Sequence, residues 1–357
     1  MKSLVYCEGE FGKIDGKVAN GLARHSEKYQ ILGIIDSTKA GLDAGEFLDG
    51  IKNGIPIFQS SEDAIETLGF VPEYFIYGIA AITAFLDHYD RGIIFSAMKL
   101  GMNIINGLPE FFTEDEEFVQ KAHDYNVQIY DMRKAPMRKH LHNFTGRIHK
   151  VSIPVITVLG TDCAVGKRTT AVELVVALQQ AGLNAEFIAT GQTGLLQGAK
   201  YGTVVDVLSS GFASGEVENA ILNAYKGERP DIIVVEGQGA LSHPAYTSSH
   251  AIIRGAVPDA VILQHPPKRK NHCDYPTLPM PTPESEIELI EVFSKTKVIA
   301  ITINHEDMTD DELEKTIVEY EKTYRLPTTD ILKYGCDKLI KKLFEIFPEL
   351  LEKSKQI

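Results

Sequence analysis

Short β-branched apolar runs alternate with helical stretches twice over, on either side of a basic, histidine-rich segment near residue 140. That alternation predicts an α/β protein with two domains, each built on a parallel sheet. A length of 357 residues suits two domains with separate cores. A glycine-interrupted turn between a strand and a helix near residue 160 predicts a three-layer α/β/α architecture for the second domain.

Composition narrows the function. Hydrophobic residues at 44% and charged residues at 24% are ordinary for a globular protein. The net charge of −13 comes without a basic stripe, so no nucleic-acid partner is expected and a small-molecule substrate is. Cys7, Cys163, Cys273 and Cys336 are scattered and lack metal-ligand spacing, which predicts reduced thiols and a cytoplasmic location. No apolar run approaches the ~18 residues of a membrane span, and the N-terminus enters a strand directly, so neither membrane nor signal peptide is expected.

In the first domain, taken as residues 1–132, strands are predicted at Leu4–Cys7, Ile31–Ile35, Tyr74–Ile79, Met102–Asn106 and Val127–Tyr130. Helices are predicted at Val18–His25, Ser61–Leu68, Phe85–Leu100 and Glu114–Tyr125, with Ser60, Ser61 and Asp63 supplying cap chemistry. The βαβ order predicts a Rossmann-like sheet. Asp36 falls where a ribose-binding acid would sit, yet the turn after the first strand has no clean GxGxxG. A domain with so weak a ligand signal is read equally as structural or an interface and as a working ligand site; the interface reading points to a homo-oligomer. Residues 133–150, with Pro136, Gly146 and no period, read as the linker. His140 and His142 lack a nearby carboxylate, so no metal pair is expected there.

The second domain, 151–357, opens with Val155–Leu159, turns at Gly160 and reaches Gly166-Lys167 before a helical run ended by Gly182. That is a phosphate-binding P-loop: Gly160, Thr161, Asp162, Ala164, Val165, Gly166, Lys167, Arg168, Thr169 and Thr170 are the candidate cofactor contacts. Five residues separate the two glycines, one more than usual, and the form resembles the variant loop of dethiobiotin synthetase, an enzyme of ATP and Mg²⁺. Arg168 stands where a Ser or Thr normally holds Mg²⁺, and a guanidinium pairs only with anions. The loop therefore suits gripping a phosphorylated ligand better than hydrolysing it.

Further along, the strand Ala185–Ala189 runs into Thr190, Gly191, Gln192 and Thr193, candidate substrate contacts at a strand's carboxyl end. Residues 206–215 read as a loop or short helix, and Glu216–Tyr225 as a helix. The strand before Gly237 delivers Glu236 where P-loop proteins carry an acid. Ala260–Gln264 precedes the proline-rich segment 265–283, read as a substrate lid that holds Lys268, Arg269, His272 and Asp274. Val298–Ile303 is the last strand, and Asp310–Tyr324 and Lys338–Leu351 are amphipathic helices.

With these motifs in view, nearly the whole chain resembles a P-loop family to which a D-glutamate N-acetyltransferase activity has been assigned. The residues that carry the resemblance are Gly160–Thr170 and Val234–Tyr246. It implies an acetyl-CoA enzyme whose P-loop grips CoA phosphates. Glu236, His243 and His265 are then candidate bases, and Arg254, Lys268 and Arg269 candidate partners for substrate carboxylates. An ATP- and Mg²⁺-dependent ligase or carboxylase and a nucleotide sensor remain the alternatives.

Overall fold

A computed structural model describes residues 1–80 and 86–355. The chain forms two compact units: Met1–Ala135 with Leu196–Gly198, and Pro136–Leu195 with the chain from Ala199 onward.

The first unit is a six-stranded sheet of β1 (Lys2–Tyr6), β2 (Gln30–Ile35), β3 (Ile57–Phe58), β4 (Tyr74–Tyr77), β5 (Asn103–Asn106) and β6 (Ile129–Asp131). Its order is β3-β2-β1-β4-β5-β6, all pairs parallel, which is the doubly wound Rossmann arrangement. The helices are α1 (Lys17–Arg24), α2 (Ala44–Asp49), α3 (Ser61–Leu68), α4 (His88–Lys99) and α5 (Glu116–Tyr125). Phe75, Met98, Phe112 and Phe118 fill one face of the sheet, and Phe11, Leu22 and Ile34 fill another cluster. The helix expected from Phe85 begins at His88, where Asp87 caps it by accepting from the Asp90 amide at 2.8 Å; Phe85 lies outside the described residues.

Two acids near the carboxyl ends of these strands, Asp36 and Asp90, are engaged with protein. Asp36 accepts from the Phe11 amide, the Thr38 amide and hydroxyl, and the Lys39 ammonium, at 2.6–3.3 Å. Tyr6 and Tyr77 both donate to Asp90, at 3.1 and 2.6 Å. Burial, then Asp90, pushes both phenols far up.

The second unit holds β7 (Val155–Gly160), β8 (Ala185–Ala189), β9 (Tyr201–Gly202), β10 (Ile232–Glu236), β11 (Ala260–His265), β12 (Val298–Ile303) and β13 (Thr328–Thr329). Their order is β13-β12-β11-β7-β10-β8-β9, again parallel throughout. Strands β7, β10, β11 and β12 are buried on both faces, which is why they read as unbroken apolar runs. The helices are α6 (Lys167–Gln180), α7 (Gln192–Gln197), α8 (Ser210–Glu228), α9 (Ser248–Ala256), α10 (Pro283–Ser294), α11 (Asp310–Tyr324), α12 (Ile331–Tyr334), α13 (Asp337–Ile346) and α14 (Pro348–Ser354). Thus the helix expected at Lys338–Leu351 is two, broken before Pro348, which cannot continue α13. Among the described residues, no helix is long and apolar enough to cross a membrane.

The segment read as a loop or short helix over 206–215 is helical from Ser210. Its small residues serve close packing: a Cβ on Gly215 would sit 2.2 Å from the His142 carbonyl oxygen. The segment taken as a linker is also held from Pro136 onward within this unit. Glu218 of α8 accepts from the Thr145 amide and hydroxyl and the Ile148 amide at 2.6–3.0 Å, and Glu216 pairs with the His142 ring at 3.0 Å.

Candidate functional site

Because β7 lies between β10 and β11, the loops after all three strands open side by side at the carboxyl edge. Register brings Glu236 level with Val158, and Gln264 level with Gly160. A chain that places its P-loop on β7 therefore gathers Glu236, His243 and the proline-rich loop around it.

The P-loop itself is bent by left-handed residues at Ala164 (φ 50°) and Gly166 (φ 104°), the latter where only glycine is unstrained. Lys167 opens α6 and is buried; its ammonium turns back onto the Asp162 carbonyl, and burial lowers its pKa. The Thr170 hydroxyl donates to Gln264 at 2.5 Å, which also takes the Thr302 hydroxyl at 2.5 Å. Thr170 thus braces α6 against β11. Thr161 bonds His265 Nδ1 at 2.8 Å. Burial, then Arg269, lowers the His265 pKa to about 4, so this ring is neutral at pH 7 and positions the loop.

Asp162 is the polar centre. One oxygen lies 2.7 Å from His272 Nδ1; the other accepts from Arg269 at 3.0 Å and from the Cys273 amide at 2.8 Å. Burial alone would raise its pKa, but these donors outweigh it and hold the carboxyl below its usual range. Arg269 also donates to the Cys163 and Ala164 carbonyls at 2.8 and 3.3 Å, and its other edge meets Glu306. The proline-rich loop is therefore fastened to the P-loop. Within it, His272 is fixed by paired bonds to its own hairpin: its amide donates to Leu278 and its carbonyl accepts from Tyr275.

His243 sits beside this centre with its side chain fully buried. Its Nδ1 accepts from the Ala245 and Tyr246 amides, both at 3.2 Å, so the neutral ring carries its proton on Nε2. That Nε2 has no partner and points at Asp162 from 3.7 Å. Tyr246 stacks on the ring at 4.5 Å, and burial followed by His272 lowers its pKa. The geometry opposes the reading of His243 as a base, because its only lone pair is occupied by backbone amides. Glu286 of α10 positions the approach to His243, accepting from the Leu241 amide at 2.5 Å and the Ser242 hydroxyl at 2.6 Å.

Glu236 is buried, and burial, opposed by the Arg168 charge, pushes its carboxyl up. It accepts from the Thr190 amide at 3.0 Å, while the Thr190 hydroxyl donates to the Glu236 carbonyl and accepts from Gln238. Gly191 also bonds Glu236, and the buried Gln192 and Thr193 begin α7. Two candidates lie apart from this cluster. Lys268 pairs with Glu312, and exposed Arg254 lies over the Phe293 ring at 4.9 Å.

Asp162, His243 and His272 offer ligand atoms within 4.8 Å of one another, a set that could in composition hold a metal ion. The details do not fit one. A ligating imidazole keeps a proton on its other nitrogen, whereas His243 Nδ1 accepts from two amides, and Arg269 already balances Asp162. The cluster is a proton network. His272, Glu286, Gln264 and Glu306 were not assigned roles from sequence; His272 carried only the signal of lying in the proline-rich loop.

Comparison with known proteins fits this geometry. Residues 142–340 match the family described as a domain of unknown function (DUF1611_C), a P-loop domain, and residues 37–135 match its Rossmann-like counterpart, DUF1611_N. The chain belongs to the DUF1611 family. A crystal structure of a DUF1611 protein from Anabaena variabilis is 27% identical, with a TM-score of 0.87 over 96% of this chain and 99% of that one. A D-glutamate N-acetyltransferase from a Pseudoalteromonas species is 30% identical over 280 residues, 75% of this chain and 80% of the relative. Another protein of that name, from Tritonibacter scottomollicae, is 26% identical over 271 residues, 74% and 79% of the two chains.

Proposed function

We propose that this DUF1611 protein is an acetyl-CoA-dependent N-acetyltransferase acting on a small acidic amino acid such as D-glutamate. The observation that carries the reading is the combination of a P-loop with no metal-holding hydroxyl after its lysine. Arg168 occupies that position, and the nearby Thr170 hydroxyl is committed to Gln264. An acyl-CoA enzyme must grip phosphates but has no phosphoanhydride to break, so it tolerates that exchange and an ATPase does not. The relatives named D-glutamate N-acetyltransferase support the same reaction class.

In this reading the loop amides, the positive end of α6 and Lys167 hold the phosphates of the acyl donor, once Lys167 swings off the Asp162 carbonyl. Arg168 adds a second positive charge beside Glu236. The acyl donor supplies a thioester; the protein supplies orientation, a route for protons and stabilisation of the oxygen that gains charge.

The test is CoA release from acetyl-CoA against a panel of D- and L-amino acids without ATP. Release with D-glutamate, weakened in Lys167→Ala, is the expected result. Silence with every acceptor, together with phosphate release from ATP and Mg²⁺, would replace this reading by the ligase one.

A further inference from the structure

We infer that His272, held by Asp162, is the general base that takes the proton from the acceptor's ammonium group. The assignment rests on the acetyltransferase reading and names a residue which that reading left open.

Three observations build it. First, Asp162 is kept anionic by Arg269 and the Cys273 amide, so across the 2.7 Å contact His272 Nδ1 is the donor and the carboxylate the acceptor. That fixes the neutral tautomer with the lone pair on Nε2. Second, no protein group among the described residues bonds Nε2 of His272, and the His272 side chain keeps 4% of its surface exposed where that of His243 keeps none. Third, His243, the other histidine at this carboxylate, has its lone pair at Nδ1 taken by two backbone amides. A carboxylate that orients an imidazole, whose far nitrogen faces the reacting group, is the arrangement used wherever histidine serves as base.

The step balances without a further reactant. His272 Nε2 removes one proton from the ammonium and passes it to water. The freed amine forms the C–N bond at the thioester carbon while the C–S bond breaks. The second proton on nitrogen goes to the departing thiolate, giving CoA thiol and the amide. His243 plays the supporting part: its sealed Nε2–H points at Asp162 and favours that carboxylate's charge.

His272→Asn tests this, because its amide NH₂ can still donate to Asp162 while the base is gone. We expect a folded protein whose kcat falls about 10²- to 10⁴-fold with KM for acetyl-CoA little changed. In His272→Ala, added imidazole should restore part of the rate. Wild-type transfer matched by His272→Asn, or a loss confined to KM, overturns the base and leaves the acetyltransferase reading standing. No transfer by the wild type defeats that reading and the base with it. Independently, ¹⁵N-resolved NMR of the wild-type ring should give the Nδ1–H tautomer, and an Nε2–H tautomer overturns the assignment.

Discussion

The two units carry the same kind of edge and treat it oppositely. At the carboxyl ends of β1, β2 and β4, two acids are matched by protein donors: Asp36 by Phe11, Thr38, Lys39 and the Gly9 amide, Asp90 by two phenols. At the carboxyl ends of β7, β10 and β11, a lysine is buried against its own loop, a glutamate is held above its ordinary range, and His243 Nε2 has no partner. Unmatched buried polar groups are costly, so a fold retains them where a ligand makes use of them. Parallel-sheet architecture alone does not make a site; unmet polar groups at its edge do.

That contrast can be broken in order of expected effect. Lys167→Ala should raise KM for acetyl-CoA by about 10- to 100-fold, the scale of a lost charge-assisted bond, with little change in melting temperature. An unchanged KM would detach the P-loop from the acyl donor. In the first unit, Asp36→Ala should do the reverse: destabilise by about 1–3 kcal/mol in denaturant titrations while leaving kcat intact. Its carboxyl is held low in the folded state because Lys39, Thr38 and the Gly9 amide outweigh burial. The wild type therefore has this stabilisation above the unfolded pKa and loses it as pH falls through the folded one.

A subtler contrast lies in Glu236. Burial raises its folded pKa above the unfolded value, so the folded state binds the extra proton. Wild-type stability should therefore decline as pH rises from about 4.5 through the raised value. Glu236→Gln lacks that decline, and its melting temperature should gain on the wild type as pH rises above about 4.5. A gap that narrows instead would mean the carboxylate is stabilised in place. Finally, the purified protein should retain only substoichiometric zinc after dialysis; a full equivalent would turn Asp162, His243 and His272 from a proton network into a metal centre.

Much of the fold was legible because its strands are buried on both faces and announce themselves as apolar runs. The bounds of β8 and β12 coincide with the sequence reading, and α6 begins at Lys167 as expected. What escaped did so for local reasons. The start of α8 reads as either loop or short helix because Gly211 and Gly215 are poor helix formers, yet tight packing demands small residues: a Cβ on Gly255 of α9 would meet the Ser214 carbonyl oxygen at 2.5 Å. Strands β9 and β13, two residues each, are too short to carry a period. In the cluster, Asp162 was legible from the loop pattern. His272 lies 110 residues further on in a stretch without periodicity, and only the fold brings the two together. For Arg254 and Lys268 the sequence shows a charge but not its neighbours, which the fold makes Phe293 and Glu312.

The resting position of Lys167 has a kinetic side. If the loop takes the acyl donor's phosphates as proposed, the Lys167 ammonium must first leave the Asp162 carbonyl. Any measured dissociation constant is then the intrinsic one divided by the fraction of molecules already open. A substitution that weakens the resting contact without touching the ammonium would tighten binding and speed the encounter, although it adds no contact to the ligand.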